Sequence, residues 1–64
     1  MYTKDYTNYT AERLLEDDYF LESFYNPTIE SQSFWGKLIL KDEVLAEEFR
    51  YANTILRSIP YRNQ

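Results

Sequence analysis

Apolar residues fall along this chain in four groups, and each group is preceded by a residue suited to capping a helix. The last group has the cleanest period. Leu45, Phe49, Ala52, Leu56 and Ile59 are spaced 4, 3, 4 and 3 residues apart, and Ile55 widens the stripe. This is one face of an amphipathic helix. Glu43, Glu47, Arg50, Thr54 and Arg57 take the opposite face, with acids leading and arginines trailing as the helix dipole favours. Asp42 is placed to cap this helix and Pro60 to stop it, so the pattern predicts a helix from Glu43 to about Ser58.

The middle group organises the rest. Pro27 disfavours helix at Asn26, and Thr28 then sits where an N-cap belongs, with Glu30 in the first turn. Phe34, Trp35, Leu38 and Ile39 follow at the i, i+1, i+4, i+5 spacing of one helical face, which predicts a helix from about Ile29 to Leu40. Gly36 costs such a helix about 1 kcal/mol relative to alanine, and beside Trp35 it is expected to mark close approach of a neighbouring backbone. A strand over Trp35–Lys41 is the rival reading, but no second alternating run exists to pair with it.

Upstream, Thr10 is a candidate cap for a short helix over residues 11–16, and Asp17 or Asp18 for a second over residues 19–25. A single helix over residues 10–25 is the alternative. Adjacent aspartates are poor in helix interiors and good at caps, which favours a break there. Residues 1–9 repeat a Tyr-Thr theme and are expected to be an extended or frayed lead-in, with Tyr2, Tyr6 and Tyr9 laid over the core edge rather than forming a helical face. The chain therefore reads as all-α, a small bundle of three to four short helices. Its expected division is lead-in 1–9, helical domain 10–59 and tail 60–64. The expected core is Phe20, Phe24, Phe34, Trp35, Leu38, Leu45, Phe49, Ala52, Leu56 and Ile59.

Composition adds a question. At 64 residues the chain buries a thin core, about 60% of its unfolded surface. Yet it carries seven Tyr, four Phe and one Trp, more aromatic mass than such a core needs, and the surplus suggests an interface. Seven basic and eleven acidic residues leave a net charge of −4, which disfavours direct nucleic-acid binding and suits a basic protein partner. The same balance argues against a helix-turn-helix DNA binder built on the last two helices.

Chemistry is scarce. With no His, no Cys and one Gly, the chain lacks the parts for nucleophilic or His-based acid–base catalysis, for a Cys/His zinc site and for a phosphate loop. The carboxylate pairs Asp17–Asp18 and Glu47–Glu48 read as caps and a solvated face rather than as a site. No enzyme and no cofactor is expected. The run of apolar residues is nowhere close to the ~20 needed to cross a bilayer, and the polar face of the last helix is too poor in Lys and Arg for a membrane-surface helix, so no membrane contact is expected. A coiled-coil dimer through Leu45–Ile59 would be only about two heptads long, and a homodimer stays open as an alternative to a foreign partner.

The order of landmarks carries a resemblance. Tyr9-Thr10-Ala11-Glu12-x-Leu14-Leu15-x-Asp17-Asp18-Tyr19-Phe20, then Asn26-Pro27-Thr28-x-Glu30-Ser31-x-x-Phe34-Trp35, then Phe49-x-x-Ala52-x-x-Ile55-Leu56-x-Ser58-Ile59 resembles the N-terminal cytoplasmic region of FecR-like anti-sigma factors, over about residues 9–59. The run from Asp17 to Trp35 is its most specific part. The resemblance implies a cytoplasmic helical domain that holds an extracytoplasmic-function sigma factor, in proteins that continue into a membrane helix and a sensory part. Neither lies in these 64 residues, so the resemblance implies binding without sensing. Sigma factors combine basic and apolar faces. The residues expected to meet such a partner are Tyr19, Leu21, Tyr25, Glu43, Glu47, Glu48 and Tyr51, on the outward sides of the second and last helices.

Overall fold

Each helix of the structure, a computed structural model that describes residues 4–58, begins at a capping side chain. Thr10 accepts from the Arg13 N–H at 3.3 Å and opens α1 (Ala11–Leu15). The Asp17 carboxylate accepts from the Phe20 N–H at 2.9 Å and opens α2 (Asp18–Tyr25). Thr28 accepts from the Ser31 N–H at 3.0 Å and opens α3 (Ile29–Lys41). Asp42 accepts from the Leu45 N–H at 3.1 Å at the start of α4 (Glu43–Ser58). These bonds satisfy the donors that a helix start leaves unpaired, and they explain why four short helices can follow one another with so little linker.

The chain is a small all-α bundle, as the pattern predicts. The break at Asp17–Asp18 is present, with Asp17 in extended backbone as the cap. Glu16 ends α1 rather than continuing it, and α3 runs on to Lys41. The cap of α3 is closed by Ser31, whose hydroxyl accepts from the Thr28 N–H at 2.9 Å to complete a capping box. α4 packs against α1 and α3, and α1 against α2.

Trp35 sits at the centre. Its ring lies 4.7 Å from Tyr6, 5.2 Å from Phe49 and 5.6 Å from Phe20 between centroids, and its Nε1–H donates to Ser23 Oγ at 2.9 Å. Phe20, Trp35, Leu45 and Ala52 are buried as expected. Phe34, Leu38, Phe49 and Leu56 are half-buried against them. The expectation for Ile59 lies outside the described residues, as do those for Tyr2 and for the tail 60–64.

Three expectations need correction. Tyr6 does not lie over the core edge. It is 1% exposed and is among the largest fully buried side chains. A turn closed by the Tyr9 N–H on the Tyr6 carbonyl, with Asn8 at a φ of 66°, folds the lead-in back onto the helices. Phe24 is half-buried but stands apart from the central cluster, its ring edge-on to Tyr25 at 5.0 Å. Gly36 marks no close approach inside the chain, because a Cβ there would meet nothing within 4 Å. Ala11, Leu14 and Ala46 join the buried set, drawn in where α1 and α4 meet.

Candidate partner-binding surface

Acids are the commonest charge on this molecule, and the fold divides them between two tasks. Asp17 and Glu48 are used inside. The Asp17 carboxylate, 6% exposed, accepts from the Lys4 ammonium, from the Tyr6 hydroxyl at 2.6 Å and from the Phe20 N–H. Burial pushes this carboxyl up, but the three donors outweigh it and hold its pKa below the usual carboxylate range. Lys4 is raised in turn, chiefly by its bond to Asp17, and its ammonium also lies 5.3 Å and 5.4 Å from the ring centroids of Tyr6 and Tyr9. Glu48 accepts from the Ala11 N–H at 2.7 Å and so pins the start of α1 to α4.

The acids left facing outward on α4 include Glu43 and Glu47. Val44, Glu47 and Tyr51, spaced 3 and 4, share one face of this helix with Glu43 beside them. Val44 is 70% and Tyr51 62% exposed, although burying either would be favourable. Val44, Glu43, Glu47 and Arg50 border, with Leu40 and Ile39 at the end of α3, a shallow depression of about 600 Å³. An apolar strip edged by carboxylates is thus presented on a helix whose other side is locked into the core through Leu45, Phe49 and Ala52.

Sequence reasoning divides over the named contact residues. Glu43, Glu47 and Tyr51 come together on the outer face of α4, and Tyr25 is half exposed at the end of α2. Tyr19 and Leu21 turn inward instead. Tyr19 stacks 6.0 Å from Trp35 and stands edge-on to Phe34 at 5.5 Å, and both residues pack against the buried cluster. Glu48 acts as the α1 clamp. The α2 half of the expected surface is therefore mostly core, because α2 is too short to keep a separate outer apolar face. Val44 and Leu40 were missed. The signal for Val44 was its place between Glu43 and Glu47, off the Leu45 stripe.

Other chemistry has little to draw on. Among the described residues no group of three or more acids could hold a metal ion, and no helix is long and apolar enough to cross a membrane. No family model matches the chain, and neither a curated protein nor a solved structure matches it.

Proposed function

We propose that this chain is a protein-binding regulatory module that holds an extracytoplasmic-function sigma factor, as the resemblance to the FecR-like anti-sigma domains implies, and that the outward face of α4 makes the contact. The observation that carries the reading is the exposed Val44–Tyr51 strip edged by Glu43 and Glu47. Exposed apolar anchors supply affinity once a partner desolvates them, and the carboxylates steer a basic face onto them. The inward stripe of α4, Leu45, Phe49, Ala52 and Leu56, is committed to the core, so the helix offers this strip on a packed support.

The test is a titration of the chain against the extracytoplasmic-function sigma factors of the same genome. The expected result is a complex at low salt that weakens as ionic strength rises, and that Val44→Asp or a Glu43→Lys/Glu47→Lys variant disrupts while the helical content stays the same. No complex at low salt would overturn the reading.

A further inference from the structure

The outward face of α3 is the most conspicuous apolar exposure the bundle leaves. Ile29 is 88% and Leu40 86% exposed. They stand at the two ends of one line, Ile29-Ser33-Gly36-Leu40, spaced 4, 3 and 4 along the helix. At 100° and 1.5 Å per residue, Ile29 and Leu40 lie within ~20° of the same direction and ~16 Å apart. Between them the helix is nearly bare, because Ser33 is small and a Cβ at Gly36 would meet nothing within 4 Å. Glu30 and Lys37 run beside the line on the same flank, where they line one shallow groove with Ile29 and Ser33.

We propose that this face pairs with a second copy of the same chain, α3 lying antiparallel to α3 across a two-fold axis between Ser33 and Gly36. The argument for a second copy is self-complementarity. Turning the helix end for end sets Ile29 of one chain against Leu40 of the other and Ser33 against Gly36, so large meets large at the ends and small meets small at the centre. The same operation brings Glu30 of each chain to within ~3 Å along the axis of Lys37 of the other, giving two symmetric opposite-charge pairs. A parallel two-fold would send the Glu30–Lys37 flanks of the two chains to opposite edges of the pair, where they do not meet. The pairing also supplies a use for Gly36, where an added Cβ would meet nothing inside the chain and where glycine weakens the helix relative to alanine. One helix face covers less than the ~800 Å² per partner of a standard interface, so the dimer is weak and concentration-dependent. It uses a different face of the molecule from the Val44–Tyr51 strip and meets that surface only at Leu40.

The test is sedimentation of the full chain up to ~1 mM, a range in which weak contacts are populated. The wild type should show a monomer–dimer equilibrium. Gly36→Gln should improve the isolated helix yet weaken association about tenfold or more, since the side chain blocks the backbone approach. Glu30→Lys and Lys37→Glu should each weaken it, and the E30K/K37E double variant should restore it. Because the chain has no cysteine, Ile29→Cys mixed with Leu40→Cys should form a disulfide-linked heterodimer faster than either variant links to itself. A chain that stays monomeric at ~1 mM, or a dimer indifferent to Gly36→Gln and to the charge reversals, overturns the proposal. Val44→Asp leaves the pairing intact, so loss of sigma binding and loss of pairing can be told apart.

Discussion

Asp17 shows how much one side chain can be asked to do in a chain this small. It caps α2, anchors the Tyr6 hydroxyl and pairs with Lys4, so the lead-in, the second helix and the aromatic core meet at one carboxylate. Asp17→Asn keeps the shape but removes the charge, and should cost about 1–3 kcal/mol in denaturant unfolding. That is a large part of the roughly 3–5 kcal/mol a single core of this size supplies. Tyr6→Phe should cost about 1 kcal/mol, and the double variant less than the sum, because the two share one bond. The pH dependence follows from the sign of the shift. The folded carboxyl binds its proton more weakly than the unfolded one, so its contribution is present above the ordinary Asp pKa of about 3.9 and is lost as pH falls through the lower folded value. Lys4 is raised when folded, so its contribution is present below the ordinary Lys pKa of about 10.4 and lost only as pH rises through the folded value. Thermal unfolding should therefore show an acid-side loss below about pH 4 that is shallower in Asp17→Asn than in the wild type. The capping role of this residue is legible from the sequence. Its bond to Tyr6 is not, because nothing local shows that a tyrosine 11 residues upstream folds back to meet it.

At the scale of the helices, boundaries follow caps and breakers, which are local signals. Thr10, Asp17, Thr28 and Asp42 each bind the backbone N–H three residues on, and this is why all four helix starts can be read from the chain. Thr28→Ala should lower stability by about 1 kcal/mol, with the loss of helicity concentrated in the first turn of α3 by hydrogen exchange. Which face of each helix ends up inward is less legible where the helix is short. The 16 residues of α4 carry a clear stripe, whereas the eight of α2 place Tyr19, Phe20 and Leu21 together in or against the core. Gly36 is the opposite case. Its presence in α3 is plain from the sequence, but that its surroundings are open emerges only from the packing. Gly36→Ala should raise the stability of the dilute chain by about 1 kcal/mol, read as a higher midpoint in urea. A destabilised variant would mean that another backbone does approach it within one chain.

For the whole molecule, the fold joins one rigid aromatic centre to two outward helix faces of different character. The bundle class, the helix order and the Trp35 centre follow from pattern alone. The lead-in is the part that pattern misses, since Tyr6 enters the core from a segment with no period of its own. Removing residues 1–9 should therefore cost far more than trimming a frayed end, and circular dichroism should show a lower melting temperature with the helices still present at low temperature. The acidic face of α4 becomes visible only once Leu45, Phe49 and Ala52 have taken the other side of the helix and Glu48 has been used to hold α1. Outward on α4 lie Glu43, Val44, Glu47, Arg50, Tyr51, Thr54, Arg57 and Ser58, and the proposed contact surface is the Val44–Tyr51 strip with Glu43 and Glu47. The most direct measurement is an amide chemical-shift map of the chain as the proposed partner, an extracytoplasmic-function sigma factor from the same genome, is added at low salt. The account predicts the largest changes along Glu43, Val44, Glu47 and Tyr51, with Trp35 and Ala52 little moved. Changes confined to another face, or none at a concentration where the sigma factor is saturating, would contradict it.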